Sequence, residues 1–299
     1  MNLDFDLQNI TSTEFGVGID SAGGQQFFEV PADGDVQGAL DEMVADTWSA
    51  MDAISLAPSK YEPSEKYGAT EHLYVPVTDD LAAALMQLHD AVNLPTNAKA
   101  LDDPTDVFCY FARLADAKSR HVTAIRRASQ FKGVLKSRLI QLTTNALKLV
   151  KDKTFKLDSD FDLLIDSKNL HIFRPAAFEF AGRLQAAILH AVPTNVTAIQ
   201  KELDFVEFST IQTYAEKHPR AARYLASIKA QGEMKSIDKA ALKKLCKRTE
   251  VEITISNGKI VVDDSNVMGF LEVLDRRRYE LELVKGSPER FRAASRSRL

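Results

Sequence analysis

Apolar residues recur at two spacings along the chain, and the spacing changes several times. Near the start, residues 15–19 and 26–30 read as short strands joined at Ser21-Ala22-Gly23-Gly24, where glycine allows a positive φ. Over residues 35–54 the period becomes helical. Val36, Leu40, Met43, Val44, Trp48, Met51 and Ile54 form one stripe, and the first turns are acidic, as a helix N-terminus favours. Pro58 and Pro63 make residues 57–70 a loop. Residues 73–77 read as a strand, and Thr78 as the N-cap of a helix with Leu81, Leu85, Leu88 and Val92 on one side. Residues 93–104 form a second loop and the expected domain boundary.

Short β-like runs dominate after residue 105. Residues 107–114 and 121–127 are strands about a turn at Asp116-Ala117-Lys118-Ser119. Residues 135–142, 146–150, 154–157, 161–165 and 170–173 continue as an antiparallel meander, with turns at Asn145 and Ser167-Lys168-Asn169. A helix across 131–150 competes, because Leu135, Leu139, Leu142 and Leu149 also fit a helical face. Pro175 opens a helical block that continues over about 195–208, 210–216, 219–231 and 238–248. Val251, Ile253 and Ile255 then alternate with polar residues, and Asn257-Gly258 signals a hairpin returning over 259–262. A short helix over 266–274 and a strand over 279–284 follow. The tail from about residue 286 carries four arginines and is expected to be mobile. The pattern predicts an α+β chain. An N-terminal mixed α/β region, 1–104, precedes a domain of 105–299 built from an antiparallel β meander, a helical block and a C-terminal hairpin.

Composition narrows the class. The 299 residues are 45% apolar and 27% charged, which excludes collagen-like, disulfide-scaffold and wholly disordered chains. No apolar run approaches the roughly 18–20 residues that span a bilayer, and the start lacks the basic and apolar regions of a secretion signal. A cytoplasmic chain is expected, with Cys109 and Cys246 as free thiols in the core. The net charge of −4 conceals an asymmetry. Residues 1–117 hold 21 acids against four bases, a charge of −17, while the remainder holds 21 acids against 34 bases, a charge of +13. Residues 118–151 contain nine Lys or Arg and no acid. Such halves suit different partners, or one another.

The six histidines show no metal-ligand spacing, and no phosphate loop, nucleophile elbow or dinucleotide fingerprint occurs. No cofactor or metal is called for. The acid cluster at 158–162 fails as a calcium loop, since Leu163 and Asn169 stand where glycine and glutamate belong. Asp162, Asp166 and Lys168 imitate a metal-dependent nuclease, but the interval is too short for the two strands that chemistry needs, and turn or strand-end aspartates are the plainer reading. The basic residues point instead to phosphate. Arg126, Arg127, Lys132, Lys136 and Arg138 lie in the acid-free stretch; Lys239, Lys243 and Lys247 recur every four residues on one helix; Arg276, Arg277 and Arg278 follow the last short helix. A helix followed by the Asn257-Gly258 hairpin also suggests a winged-helix unit, by analogy alone. The competing view is a scaffold whose basic half grips an acidic protein surface.

Three segments carry a likeness. They are Ile125-Arg126-Arg127-Ala128-Ser129-Gln130-Phe131-Lys132, then Phe155-Lys156-Leu157-Asp158-Ser159-Asp160-Phe161-Asp162-Leu163-Leu164-Ile165, then Ile172-Phe173-Arg174-Pro175-Ala176-Ala177-Phe178-Glu179. Their order and spacing resemble the KwaB family over roughly residues 105–285. KwaB is the soluble component of the two-gene Kiwa anti-phage system of bacteria. The resemblance implies a cytoplasmic DNA-binding effector, acting with the multi-pass membrane protein KwaA to stop phage DNA replication and late transcription. It supplies no catalytic residues. The acidic half is then expected to serve self-association, as a homodimer or higher oligomer, or contact with the membrane partner.

Overall fold

The computed structural model describes residues 2–21, 24–54, 57–97, 107–128, 140–142, 147–149, 157–232, 234–284 and 286–293. Contacts gather them into two compact units, Met1–Tyr61 with Tyr67–Leu184, and Glu62–Lys66 with Gln185–Leu299. The architecture is mixed α and β, as the pattern predicts. The boundary between the compact units does not coincide with the change of charge near residue 117.

The first unit runs β1 (Ile10–Ser21), β2 (Gly24–Glu29), α1 (Gly34–Asp52), β3 (Ser59–Lys60), β4 (Leu73–Pro76), α2 (Ala83–His89), β5 (Val107–Asp116), β6 (His121–Arg127), β7 (Ile140–Leu142), β8 (Leu147–Leu149), β9 (Leu163–Ile165), β10 (Asn169–Ile172) and α3 (Pro175–Ala181). Eight of these strands form one sheet in the order β2-β1-β5-β6-β9-β10-β4-β3. It joins strands from both sides of residue 104. Every neighbour is antiparallel except β3 with β4. β5, in the interior of the sheet, is apolar along most of its length and buried on both faces. Gly16 and Gly18 on β1 find their reason here. A Cβ at either would collide with the rings of Phe111 and Phe108 from β5. Helix α1, N-capped by Asp33 onto the Val36 N–H, buries Leu40, Met43 and Val44 with Phe15, Val17, Tyr110 and Leu164.

Two hairpin turns of the sheet are built alike. Asp116 Oδ1 accepts the backbone N–H groups of Lys118 and Arg120, and Asp166 Oδ1 accepts those of Lys168 and Asn169. The second oxygens hold the N-terminal segment across both turns: Asp6 N–H donates to Asp116 at 3.1 Å and Asp4 N–H to Asp166 at 2.9 Å.

The second unit runs α4 (Gln185–His190), α5 (Val192–Gln200), α6 (Ser209–Ala215), α7 (Pro219–Lys229), α8 (Lys239–Arg248), β11 (Thr254–Ser256), β12 (Lys259–Val261), α9 (Val267–Leu274), β13 (Arg278–Val284) and β14 (Ser287–Arg292). The Asn257-Gly258 turn has φ of 49° and 74°, both positive as a type I′ hairpin requires.

Some elements differ from the sequence reading. Asp79 rather than Thr78 is the cap, and it caps a 3₁₀ turn over Asp80–Ala82 that leads into α2; α2 stops at His89, leaving Val92 88% exposed. The chain beyond it turns to pair with the edge of the sheet, through Glu29 N–H to Pro95 and Asn97 N–H to Glu29. The strand expected from Val251 begins at Thr254, because Val251 N–H closes α8 by donating to the Cys246 carbonyl. Of the stretch 131–150, the described parts are the paired strands β7 and β8, not helix. Ser287–Arg292, in the expected tail, pairs with β13.

Candidate nucleic-acid interface

The basic residues of the first unit meet carboxylates. Arg126, at the end of β6, lies opposite Tyr110 of β5. Its Nε is 3.0 Å from Asp158, and its Nη1 is 3.0 Å from Asp160 and 2.7 Å from Asp162. Arg174, just before α3, reaches the same acids, with Nη2 2.8 Å from Asp160 and Nη1 3.1 Å from Asp162. The Tyr110 hydroxyl donates to Asp158 at 3.1 Å, and the Arg127 backbone N–H to Asp162 at 2.7 Å. The alternation of the aspartate segment explains this clamp. Asp158, Asp160 and Asp162 face the arginines, while Phe161 between them is fully buried in the core. Burial pushes the Asp162 carboxyl up, against the pull of the Arg127 N–H and both guanidiniums. The Arg126 side chain is only 13% exposed, so the residue expected first among phosphate contacts is enclosed by three acids. Arg127 lays its guanidinium 4.0 Å over the Phe180 ring. Lys132, Lys136 and Arg138 lie outside the described residues.

Asp162, Asp166 and Lys168 do not share a site. Asp162 belongs to the clamp. Asp166 holds its turn and lies 3.2 Å from His171, while Lys168 Nζ lies 3.0 Å from Asp4. Among the described residues, no three His, Cys, Asp or Glu side chains group to hold a metal.

In the second unit the basic residues have a different setting. Asp238 caps α8 onto the Ala241 N–H at 2.7 Å, and Leu242 and Cys246 turn inward. Lys243, Lys244, Lys247 and Arg248 are exposed. Lys243, Lys244 and Lys247 make no ion pair with a described residue, whereas Arg248 lies 3.6 Å from Glu280. Lys239, in the expected row, instead donates to the Gly258 carbonyl and ties the helix to the hairpin turn. Lys244 stands outside the row of every fourth residue; the inward stripe of Leu242 and Cys246 marks it as outward-facing. The three consecutive arginines diverge. Arg276 is exposed at a φ of 57°, Arg277 pairs with Asp275 at 2.5 Å and lies over Tyr224, and Arg278 covers Gly269, where a Cβ would come within 2.7 Å of its Nη1.

A family model described as Kiwa protein KwaB-like matches residues 107–283. The chain belongs to this family. The match opens at β5 and closes within β13, so it includes both the arginine clamp and α8. Membership makes the chain a component of Kiwa anti-phage defence, a system with further protein members. No curated protein and no solved structure matches. Among the described residues, no helix is long and apolar enough to cross a membrane.

Proposed function

We propose that the chain is a DNA-binding effector of Kiwa defence, which grips duplex backbone irrespective of sequence and acts with a membrane-embedded partner. The observation that carries the reading is α8. Lys243, Lys244 and Lys247 stand exposed on one short helix with no carboxylate partner among the described residues. Lysines so placed release counterions when they meet phosphate, and that release drives sequence-independent binding. Arg127, Lys132, Lys136, Arg138, Arg276 and Arg278 extend the same reading. Arg126, Lys239 and Arg277 stand outside it, since carboxylates or a carbonyl already engage them. The charge of −17 over residues 1–117 supports self-association or contact with the partner, and disfavours stray DNA contact elsewhere on the chain.

Titration of duplex DNA across a range of salt tests the reading. The logarithm of affinity should fall linearly with that of salt, at roughly 0.9 per phosphate neutralised, and equally for unrelated sequences. Plasmid incubated with the protein and Mg²⁺ should be bound and left intact. Absence of binding at low salt overturns the reading in favour of a scaffold, and cleavage overturns it in favour of a nuclease. Co-expression and co-purification with a KwaA-like membrane protein tests the partner.

A further inference from the structure

The hairpin β13–β14 turns its charged face inward and its apolar face to water. On the face toward α8 and α9, Glu280 is 14% exposed and lies 3.6 Å from Arg248 and 4.0 Å from Arg290. Arg290 also donates to the Arg248 carbonyl at 2.7 Å and pairs with Glu250, and Arg292 pairs with the buried Glu272. On the other face Tyr279, Leu281 and Phe291 are exposed, and Leu283 is 83% exposed. The Tyr279 and Phe291 rings stack at 5.7 Å, and no described element covers them. A two-stranded ribbon of this kind is marginal by itself and gains from further strands. The backbone offers a place for one. Ala293 N–H donates to the Arg277 carbonyl at 2.8 Å, so Arg278 and Arg292 face each other without a mutual hydrogen bond. The alternation then gives the groups of Tyr279 and Leu281 to β14, while the N–H and C=O groups of Arg278, Glu280 and Glu282 point to the opposite edge. No described strand pairs with them there. The outer edge of β14 is guarded by Pro288, Arg290 and Arg292, whereas β13 contains neither proline nor glycine.

We propose that the free edge of β13 pairs antiparallel with β13 of a second copy, about a two-fold axis at Glu280. The strand is complementary to itself in this register. Arg278 stands opposite Glu282 of the second copy, and Tyr279 opposite Leu281 of the second copy, each pair occurring twice. Unlike charges and aromatic–aliphatic pairs are the favourable cross-strand neighbours. Glu280 meets its own image, but Arg248 and Arg290 already balance its charge within each chain. Moving the axis one residue toward the tip would set Glu280 against Glu282 twice, so charge selects the register. The result is a four-stranded sheet in which the free backbone groups are bonded and Phe291, Tyr279 and the second copy's Leu281 form one apolar strip. The pairing places self-association in the basic half and leaves the acidic half to the membrane partner. The two-fold axis stands perpendicular to the joined sheet, so α8 of both copies lies on the same side of it. That consequence alone rests on the DNA reading: a dimer presents two lysine-bearing helices to duplex, with Arg278 committed to a carboxylate rather than to phosphate. The pairing itself is independent of DNA and is measured without it.

Sedimentation equilibrium of the full chain without DNA should show a reversible dimer. Glu282→Pro removes an N–H of the free edge and leaves the bonds to β14 in place, so the variant should fold as the wild type does and sediment as a monomer. Glu282→Arg sets two cations against each other twice and should weaken the dimer by roughly tenfold or more. Circular dichroism checks that both variants fold. If neither does, cross-linking decides. Residues 279 and 281 of the two copies face each other with Cα atoms about 4.5 Å apart. Tyr279→Cys protein mixed with Leu281→Cys protein should therefore form a disulfide-linked dimer on mild oxidation. Either variant alone should not, because its two cysteines then lie beyond the roughly 7 Å that a disulfide spans. The native thiols, Cys109 and Cys246, are buried and stay out of the reaction. The proposal is overturned by a monomer at all concentrations, by a dimer that both folded Glu282 variants keep unweakened, or by cross-links that either cysteine variant forms alone as readily as the mixture.

Discussion

Arg126 and Lys243 carry the same formal charge in the same basic half of the sequence, yet they have opposite settings. Arg126 sits on the inner sheet between Asp158, Asp160 and Asp162, its planar donors divided among three carboxylates. Lys243 stands on a short amphipathic helix with its ammonium in water. The first binds two parts of one domain together, and the second is available to something outside. Counting charge along a chain cannot separate these roles, because it is blind to acids that strand pairing brings alongside. What separates them is the alternation of the aspartate segment, whose inward Phe161 forces its neighbours onto one face.

The largest effect that would break this contrast lies at Arg126. Replacing it with Met leaves Asp162 buried with Arg174 as its one remaining guanidinium, and removal of one partner from a buried ion pair costs about 3–5 kcal/mol. Urea unfolding should show this loss, while DNA affinity of the folded variant at low temperature stays at the wild-type value. Undiminished stability with abolished DNA binding would return Arg126 to the interface.

Acid sharpens the same contrast, because carboxylates hold the turns and enclose Arg126 in the first unit, whereas Lys243 and Lys247 on α8 pair with no described carboxylate. Burial opposes the charge on Asp116, but the backbone N–H and guanidinium of Arg120, with the N–H groups of Lys118 and Asp6, hold its carboxyl well below the usual carboxylate range. A carboxyl whose folded pKa is depressed stabilises the fold above its unfolded value near 3.9, and that contribution is lost as pH falls through the folded value. Unfolding measured between pH 7 and pH 2 should show stability falling below about pH 4. Asp116→Asn should be less stable at pH 7 and flatter over the acid range. An unchanged acid limb in the variant would remove Asp116 from the account.

How far the sequence speaks follows from range. The stripe of Leu40, Met43 and Val44 predicts α1, and Asn257-Gly258 predicts its hairpin, because the causes lie within a few residues. The turn role of Asp166 is legible for the same reason. Pairing of β1 with β5 is not, since Gly16 and Gly18 have meaning only once Phe111 and Phe108 are beside them. In the candidate interface, the exposed lysines of α8 are legible from its amphipathic period, whereas the enclosure of Arg126 and the divergence of Arg276, Arg277 and Arg278 are set by tertiary partners.

The second half of the contrast is tested on α8 itself. Lys243→Ala, Lys244→Ala and Lys247→Ala together remove three exposed charges, and surface changes of this kind leave stability within about 0.5 kcal/mol each. The slope of log affinity against log salt should shrink by about 2.7, for three phosphates at about 0.9 each. An unchanged slope moves the interface to other residues of the basic half.

The smallest effect lies within the row itself. Lys239 has the helical phase of Lys243 and Lys247, but its Nζ donates to the Gly258 carbonyl at the tip of the hairpin. Lys239→Met keeps the methylene stem and removes the donor. An exposed hydrogen bond of this kind contributes about 1 kcal/mol or less. Global stability should therefore fall little, while hydrogen exchange at Asn257 and Lys259 quickens as the tip loosens from the helix. The salt slope of DNA binding should stay as in the wild type, since this ammonium faces a carbonyl rather than solvent. A slope reduced by about 0.9 would instead place Lys239 beside Lys243 and Lys247 on the phosphate face, and the Gly258 bond would then be the resting contact of a binding residue.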